Sequence, residues 1–142
     1  MRFLLDTNVL IWYCNASKNI PESLRYSIEY YEHEYFVSVE ALREIAIKGA
    51  IKGSGFLVEG GLKSVVEKIK TAKYNLKILP TTETHILTFE GLSKPLTEHN
   101  DPFDRLLIAQ AISEKMILIS SDNKFLAYKD KGFELFHIEH KY

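Results

Sequence analysis

With a single cysteine, Cys14, the chain has no means of forming an intrachain disulfide. That thiol lies in the apolar run Val9-Leu10-Ile11-Trp12-Tyr13-Cys14, where it reads as buried and inert. Long hydrophobic stretches are missing too. The start, Met1-Arg2-Phe3-Leu4-Leu5-Asp6, reaches a carboxylate too soon for a secretory apolar region, and no other stretch is long enough to cross a membrane. The expectation is therefore a protein without a membrane segment in a reducing cytoplasm. Neither sign of charge dominates: 18 basic residues face 19 acidic ones, a formal net charge of −1 that does not by itself speak for nucleic acid. His33, His85, His99, His137 and His140 show no paired ligand spacing and sulfur is scarce, which disfavours zinc. Internal repeats and low-complexity tracts are absent as well.

What remains is an ordinary globular composition, 46% hydrophobic and 26% charged over 142 residues, which predicts one domain over 1–142. Short apolar runs at Phe3–Leu5, Tyr35–Val39, Lys77–Pro80 and Met116–Ser120 predict strands buried on both faces. Glu134–Ile138 alternates imperfectly, as an edge strand does. Helical spacing of apolar residues runs through 21–31, 40–51, 62–72 and 103–112, with Pro21 in a first-turn position. Gly53-Ser54-Gly55 and Gly60-Gly61 interrupt the pattern and bound a loop. Strands alternating with helices imply an α/β fold with a central, mostly parallel sheet of four to five strands and helices on both faces. In such sheets, ligands bind beyond the carboxyl ends of the strands, where the strand order switches.

Four acids belong at that end. Asp6 follows the first strand, and Asp122 follows the fourth after Ser121. Glu44 lies on the helix leaving the second strand. Asp104 lies in the first turn of the helix feeding the fourth strand, which runs antiparallel to it. Each has an ordinary structural use. Asp101-Pro102-Phe103-Asp104 reads as a helix start with Asp101 as N-cap, Asp122 as a cap for the next helix, and Asp6 as a turn residue. Glu44 is placed to pair with Lys48 at i, i+4. Gathered together, however, four carboxylates repel one another and raise each other's pKa values unless a cation sits among them. All-oxygen ligation suits Mg²⁺ or Mn²⁺, one ion or two, with phosphodiester hydrolysis as the matching chemistry.

The same residues resemble a known family. Leu4-Leu5-Asp6-Thr7-Asn8-Val9-Leu10 is similar to the opening motif of PIN-domain proteins, and Ala41-Leu42-Arg43-Glu44-Ile45-Ala46-Ile47-Lys48 to their second-acid helix. The run from His99 through Asp101-Pro102-Phe103-Asp104-Arg105 to Ala111 resembles the HRDPFDRLLIAQA signature of one branch of VapC-type toxins. Leu118-Ile119-Ser120-Ser121-Asp122-Asn123-Lys124-Phe125 is similar to the last motif. The resemblance implies a PIN fold, a three-layer α/β/α sandwich, and a metal-dependent endoribonuclease acting as the toxin of a type II toxin–antitoxin pair. It puts the catalytic and metal-binding roles on Asp6, Glu44, Asp104 and Asp122, with Asp101 as a further candidate ligand and Thr7 and Asn8 as supporting donors. It also implies an RNA substrate, a homodimer and a small antitoxin that blocks the acidic groove.

Some positions depart from the pattern. Asn100 replaces a usual arginine and Arg43 a common tryptophan. Glu40 takes a position of small residues, either as a spare ligand or as a solvated charge. His99 matches the family, with packing or capping as its simpler use. Tyr26, Tyr30, Tyr31 and Tyr35 read as core and core margin, or as a platform for bases or an antitoxin helix. Lys63, Lys68, Lys70, Lys73 and Lys77 read equally as a phosphate-facing flank or a solvated helix face. Two other functions compete: a degenerate PIN domain that binds RNA or protein without cutting, and a phosphoryl-transfer domain with Asp6 as nucleophile. The first is marked by loss of an acid, and all four are present. The second expects another acid where Asn8 stands.

Overall fold

The computed structural model describes residues 1–30, 32–71, 76–92, 101–126 and 134–138. Its strands are β1 (Arg2–Leu5), β2 (Glu34–Ser38), β3 (Leu76–Leu79), β4 (Ile117–Ser120) and β5 (Glu134–His137). They form one sheet in the order β3-β2-β1-β4-β5, and every pairing is parallel. The helices are α1 (Thr7–Cys14), α2 (Glu22–Glu29), α3 (Val39–Lys48), α4 (Gly61–Lys70), α5 (Glu83–Leu92) and α6 (Pro102–Glu114). The chain leaves β1 for β2 on one side and returns from β3 to β4 on the other, so the order switches between β1 and β4.

Side chains alternate across the strands with period two. Leu5, Val37 and Ile119 face one core together with Val9 and Leu10 of α1, Ile28 of α2, Ile45 of α3 and Val65 of α4. Leu4 and Leu118 face a second core with Leu107, Ile108 and Ala111 of α6. The sheet is thus covered on both sides, which is why its central strands read as continuous apolar runs. This is the three-layer α/β/α arrangement expected from the sequence.

Boundaries differ from the expectation where capping decides them. Val39 opens α3 rather than closing β2, because the Ser38 hydroxyl accepts the Glu40 amide at 3.0 Å. Pro21 is the N-cap of α2 and not in its first turn. Helices α1 and α5 have no counterpart in the apolar spacing of the sequence. Six of the eight α1 residues are buried, so it lacks a polar face, while α5 buries only His85 and lacks an apolar stripe.

Candidate metal centre

Beyond the carboxyl ends of β1 and β4, Asp6, Thr7, Asn8, Glu44, Asp101, Asp104 and Asp122 line one cavity of about 120 Å³, together with Lys48, Phe56 and Lys124. The acids come from separate elements. Asp6 is the residue after β1 and the N-cap of α1, Glu44 lies in α3, Asp101 and Asp104 open α6, and Asp122 follows β4. Glu44, Asp101 and Asp104 each offer a carboxylate oxygen within 4.8 Å of the others. Among the described residues, that acidic trio is the group geometrically fit to hold an ion, and no histidine or cysteine belongs to it.

Asp6 is 3% exposed. One of its oxygens accepts the Thr7 amide at 2.6 Å and the other the Ser120 hydroxyl at 2.7 Å. Burial pushes its carboxyl up to about 7; the Ser120 and Thr7 hydrogen bonds oppose the rise, and the charges of Asp104 and Glu44 add to it. Ser120 also accepts the Asp122 amide at 3.0 Å, so one hydroxyl at the end of β4 fixes both acids of the switch point. Sequence reasoning does not single out Ser120, which reads there as the last residue of an apolar strand.

Several ordinary uses coexist with membership of the cluster. Asp101 caps α6 through the Phe103 amide at 2.9 Å, and Asp122 accepts the Lys124 amide at 2.9 Å. Lys48 pairs with Glu44 at 2.7 Å as the i, i+4 spacing suggests, and reaches Asp101 at 3.2 Å. Burial works against its charge, but these two carboxylates outweigh that and hold its pKa above the ordinary value. Glu40 is buried away from the cluster, accepts the Thr81 hydroxyl at 2.7 Å and meets Arg43 at 3.4 Å. It is not a solvated charge, and it does not line the cavity. His99 and Asn100 lie outside the described residues.

The donor set fits a hard divalent cation. An ionised carboxylate has about four acceptor sites, so Asp6 keeps capacity toward the cavity after its two bonds. Thr7 Oγ1, buried and lining the same cavity, has no partner among the described residues, as expected of a donor to a further oxygen ligand.

The other groups resolve differently. Tyr35 is buried against Phe3 with its hydroxyl on Ser27, whereas Tyr26 and Tyr30 stack at 4.3 Å and are 54% and 63% exposed. Tyr31 and Lys73 lie outside the described residues. Lys68 donates to the Cys14 carbonyl and Lys77 pairs with Glu34 across the surface. Burial pushes the Cys14 thiol up to about 11.

The sequence of residues 3–131 matches the family model of the PIN domain. The chain belongs to that family. Solved structures share its fold: the VapBC2 complex of Rickettsia felis bound to a promoter DNA fragment has a TM-score of 0.73 at 18% identity, covering 98% of this chain and 100% of that one. The DNA-bound VapBC of Salmonella typhimurium gives 0.70 at 17% identity, covering 98% and 99%. VapC20 of Mycobacterium tuberculosis, a sarcin–ricin loop cleaving toxin, gives 0.61 at 12% identity, covering 92% and 95%. No curated protein matches the sequence. No helix among the described residues of this PIN domain is long and apolar enough to cross a membrane.

Proposed function

We propose that this PIN domain is an endoribonuclease that hydrolyses RNA phosphodiester bonds with Mg²⁺ or Mn²⁺, using one ion or two. The observation that carries the reading is the meeting of Asp6, Glu44, Asp101, Asp104 and Asp122 around one cavity at the strand-order switch. A divalent ion held there would supply activation of a water for attack and charge stabilisation at the phosphoryl oxygens. Asp6, Glu44, Asp104 and Asp122 would hold it, with Asp101 as an additional ligand. Thr7 and Asn8 would steady oxygen atoms beside Asp6, and Ser120 keeps the Asp6 carboxylate in place. Lys124, on the cavity wall, offers positive charge to a phosphate.

The architecture shared with VapBC structures supports a toxin role with a cognate antitoxin as partner; a homodimer as the working form and the cytoplasm as its place belong to the same proposal. The deciding experiment incubates the purified chain with RNA in Mg²⁺, Mn²⁺ or chelator. Cleavage is expected only with metal and is lost in Asp6→Asn. Cutting by that variant at the wild-type rate contradicts the assignment.

A second reading, a PIN domain that binds RNA or protein without cutting, draws on one observation: an ammonium already pairs with Glu44 and Asp101. Metal-independent RNA binding with no new RNA ends would favour it.

A further inference from the structure

Among the described residues, Lys48 is the basic side chain paired with two carboxylates of the cavity, and nothing in the proposed hydrolysis uses it. We propose that Lys48 is a built-in counter-ion of the metal centre, holding Glu44 and Asp101 together while no metal is bound and yielding to the divalent cation. The inference rests on reading the acidic cavity as a metal centre.

The geometry sets up the competition. Lys48 Nζ stands 2.7 Å from Glu44 Oε2 and 3.2 Å from Asp101 Oδ2. The same two side chains, with Asp104, supply the oxygens gathered within 4.8 Å. A Mg²⁺ ion lies about 2.1 Å from its oxygen ligands, so a cation shared by Glu44 and Asp101 would face an ammonium only a few ångströms away. Like charges that close repel strongly in a partly buried site. Holding the ammonium and a divalent cation against the same two carboxylates is therefore costly.

The side chain is equipped to move aside. Its stem is flexible and its side chain 29% exposed, which leaves an outlet to water. The rings of Phe56 and Phe103 lie 5.0 and 5.5 Å from Nζ, within cation–π range, so the ammonium has partners other than the carboxylates. Because residues 44 and 48 are one helical turn apart, the ammonium stays beside the site and is ready to return. Without it, Glu44 would be a buried carboxylate beside two others and deprived of its ion-pair partner, a costly arrangement. Lys48 thus stabilises the metal-free fold and sets a concentration threshold for metal loading.

The test measures Mn²⁺ affinity of the whole chain from the electron paramagnetic resonance signal of free Mn²⁺, and thermal melting in chelator. Wild type is compared with Lys48→Met, Lys48→Gln and Lys48→Arg, with Glu44→Gln as a control for a lost ligand. Loss of the charge in Met or Gln is expected to tighten Mn²⁺ binding about tenfold, as removal of one nearby positive charge should. The same variants melt at lower temperature without metal, and Arg stays near wild type. Gln keeps a polar head toward the carboxylates, so it reads the affinity even where Met fails to fold. Affinity unchanged or weakened in a folded charge-free variant overturns the counter-ion role and leaves the metal centre standing. Wild type that binds no Mn²⁺ at millimolar concentration overturns the metal centre, and the counter-ion with it.

Discussion

Asp6 combines three tasks that separate substitutions can tell apart. It caps α1, accepts the Ser120 hydroxyl and faces the cavity. Asn caps about as well as Asp, so Asp6→Asn should melt within a few degrees of wild type in chelator while lacking the melting-temperature gain expected of wild type in Mn²⁺. Its titration has a defined sign. A carboxyl at about 7 in the fold, against 3.8 ordinarily, binds its proton more tightly folded than unfolded. Its contribution to metal-free stability is whole below about pH 4 and fades as pH climbs to about 7. Melting in chelator across that window should show the fall, and Asp6→Asn should flatten it. Metal needs the ionised carboxylate, so Mn²⁺ affinity should rise over the same window. Asp101→Asn distinguishes cap from ligand: the N-cap survives, so stability should hold, while Mn²⁺ affinity drops severalfold. Unchanged affinity would leave Asp101 a cap alone. Asp6, Asp101, Asp104 and Asp122 are legible in the sequence because each follows a recognisable strand or opens a recognisable helix, whereas Glu44, more than a turn inside α3, is marked by the motif around it. Glu40 is not, because its partner Thr81 lies in a separate segment that no local pattern links to it.

At the scale of elements, four helices show in the sequence through an apolar stripe, and two do not. α1 is buried nearly all round, and its sequence looks like any apolar run; α5 presents mostly polar and exposed positions, with Gly91 near its end. Periodicity reports a boundary between core and water, and neither helix lies along such a boundary. The stability of the well-patterned elements is testable. Ile108 of α6 is fully buried in the second core, so Ile108→Ala should cost about 2–5 kcal/mol in denaturant unfolding. Gly60 precedes α4 with a φ of 81°, and an added Cβ would come within 2.8 Å of the Ser64 Cβ. Gly60→Ala should therefore destabilise by about 1–2 kcal/mol through backbone strain and crowding, with the metal response intact.

For the whole molecule, strand alternation predicts the layers and the end of the sheet that carries the acids, since both follow from parallel βαβ chirality. Strand order is not a local property, and only the structure shows β1 at the centre. If the cavity binds a divalent ion only in the native state, Mn²⁺ should raise the melting temperature of the entire domain, more steeply as its concentration exceeds the dissociation constant.

The hydrogen bond between Ser120 and Asp6 joins residues 114 positions apart. A chain emerging from the ribosome delivers the middle strand first and must hold it unpaired on one side until β4 appears. Until then neither Asp122 nor the hydroxyl that anchors Asp6 is in position. Synthesis thus imposes its own delay on the cavity, which is complete only once the fourth strand has left the ribosome.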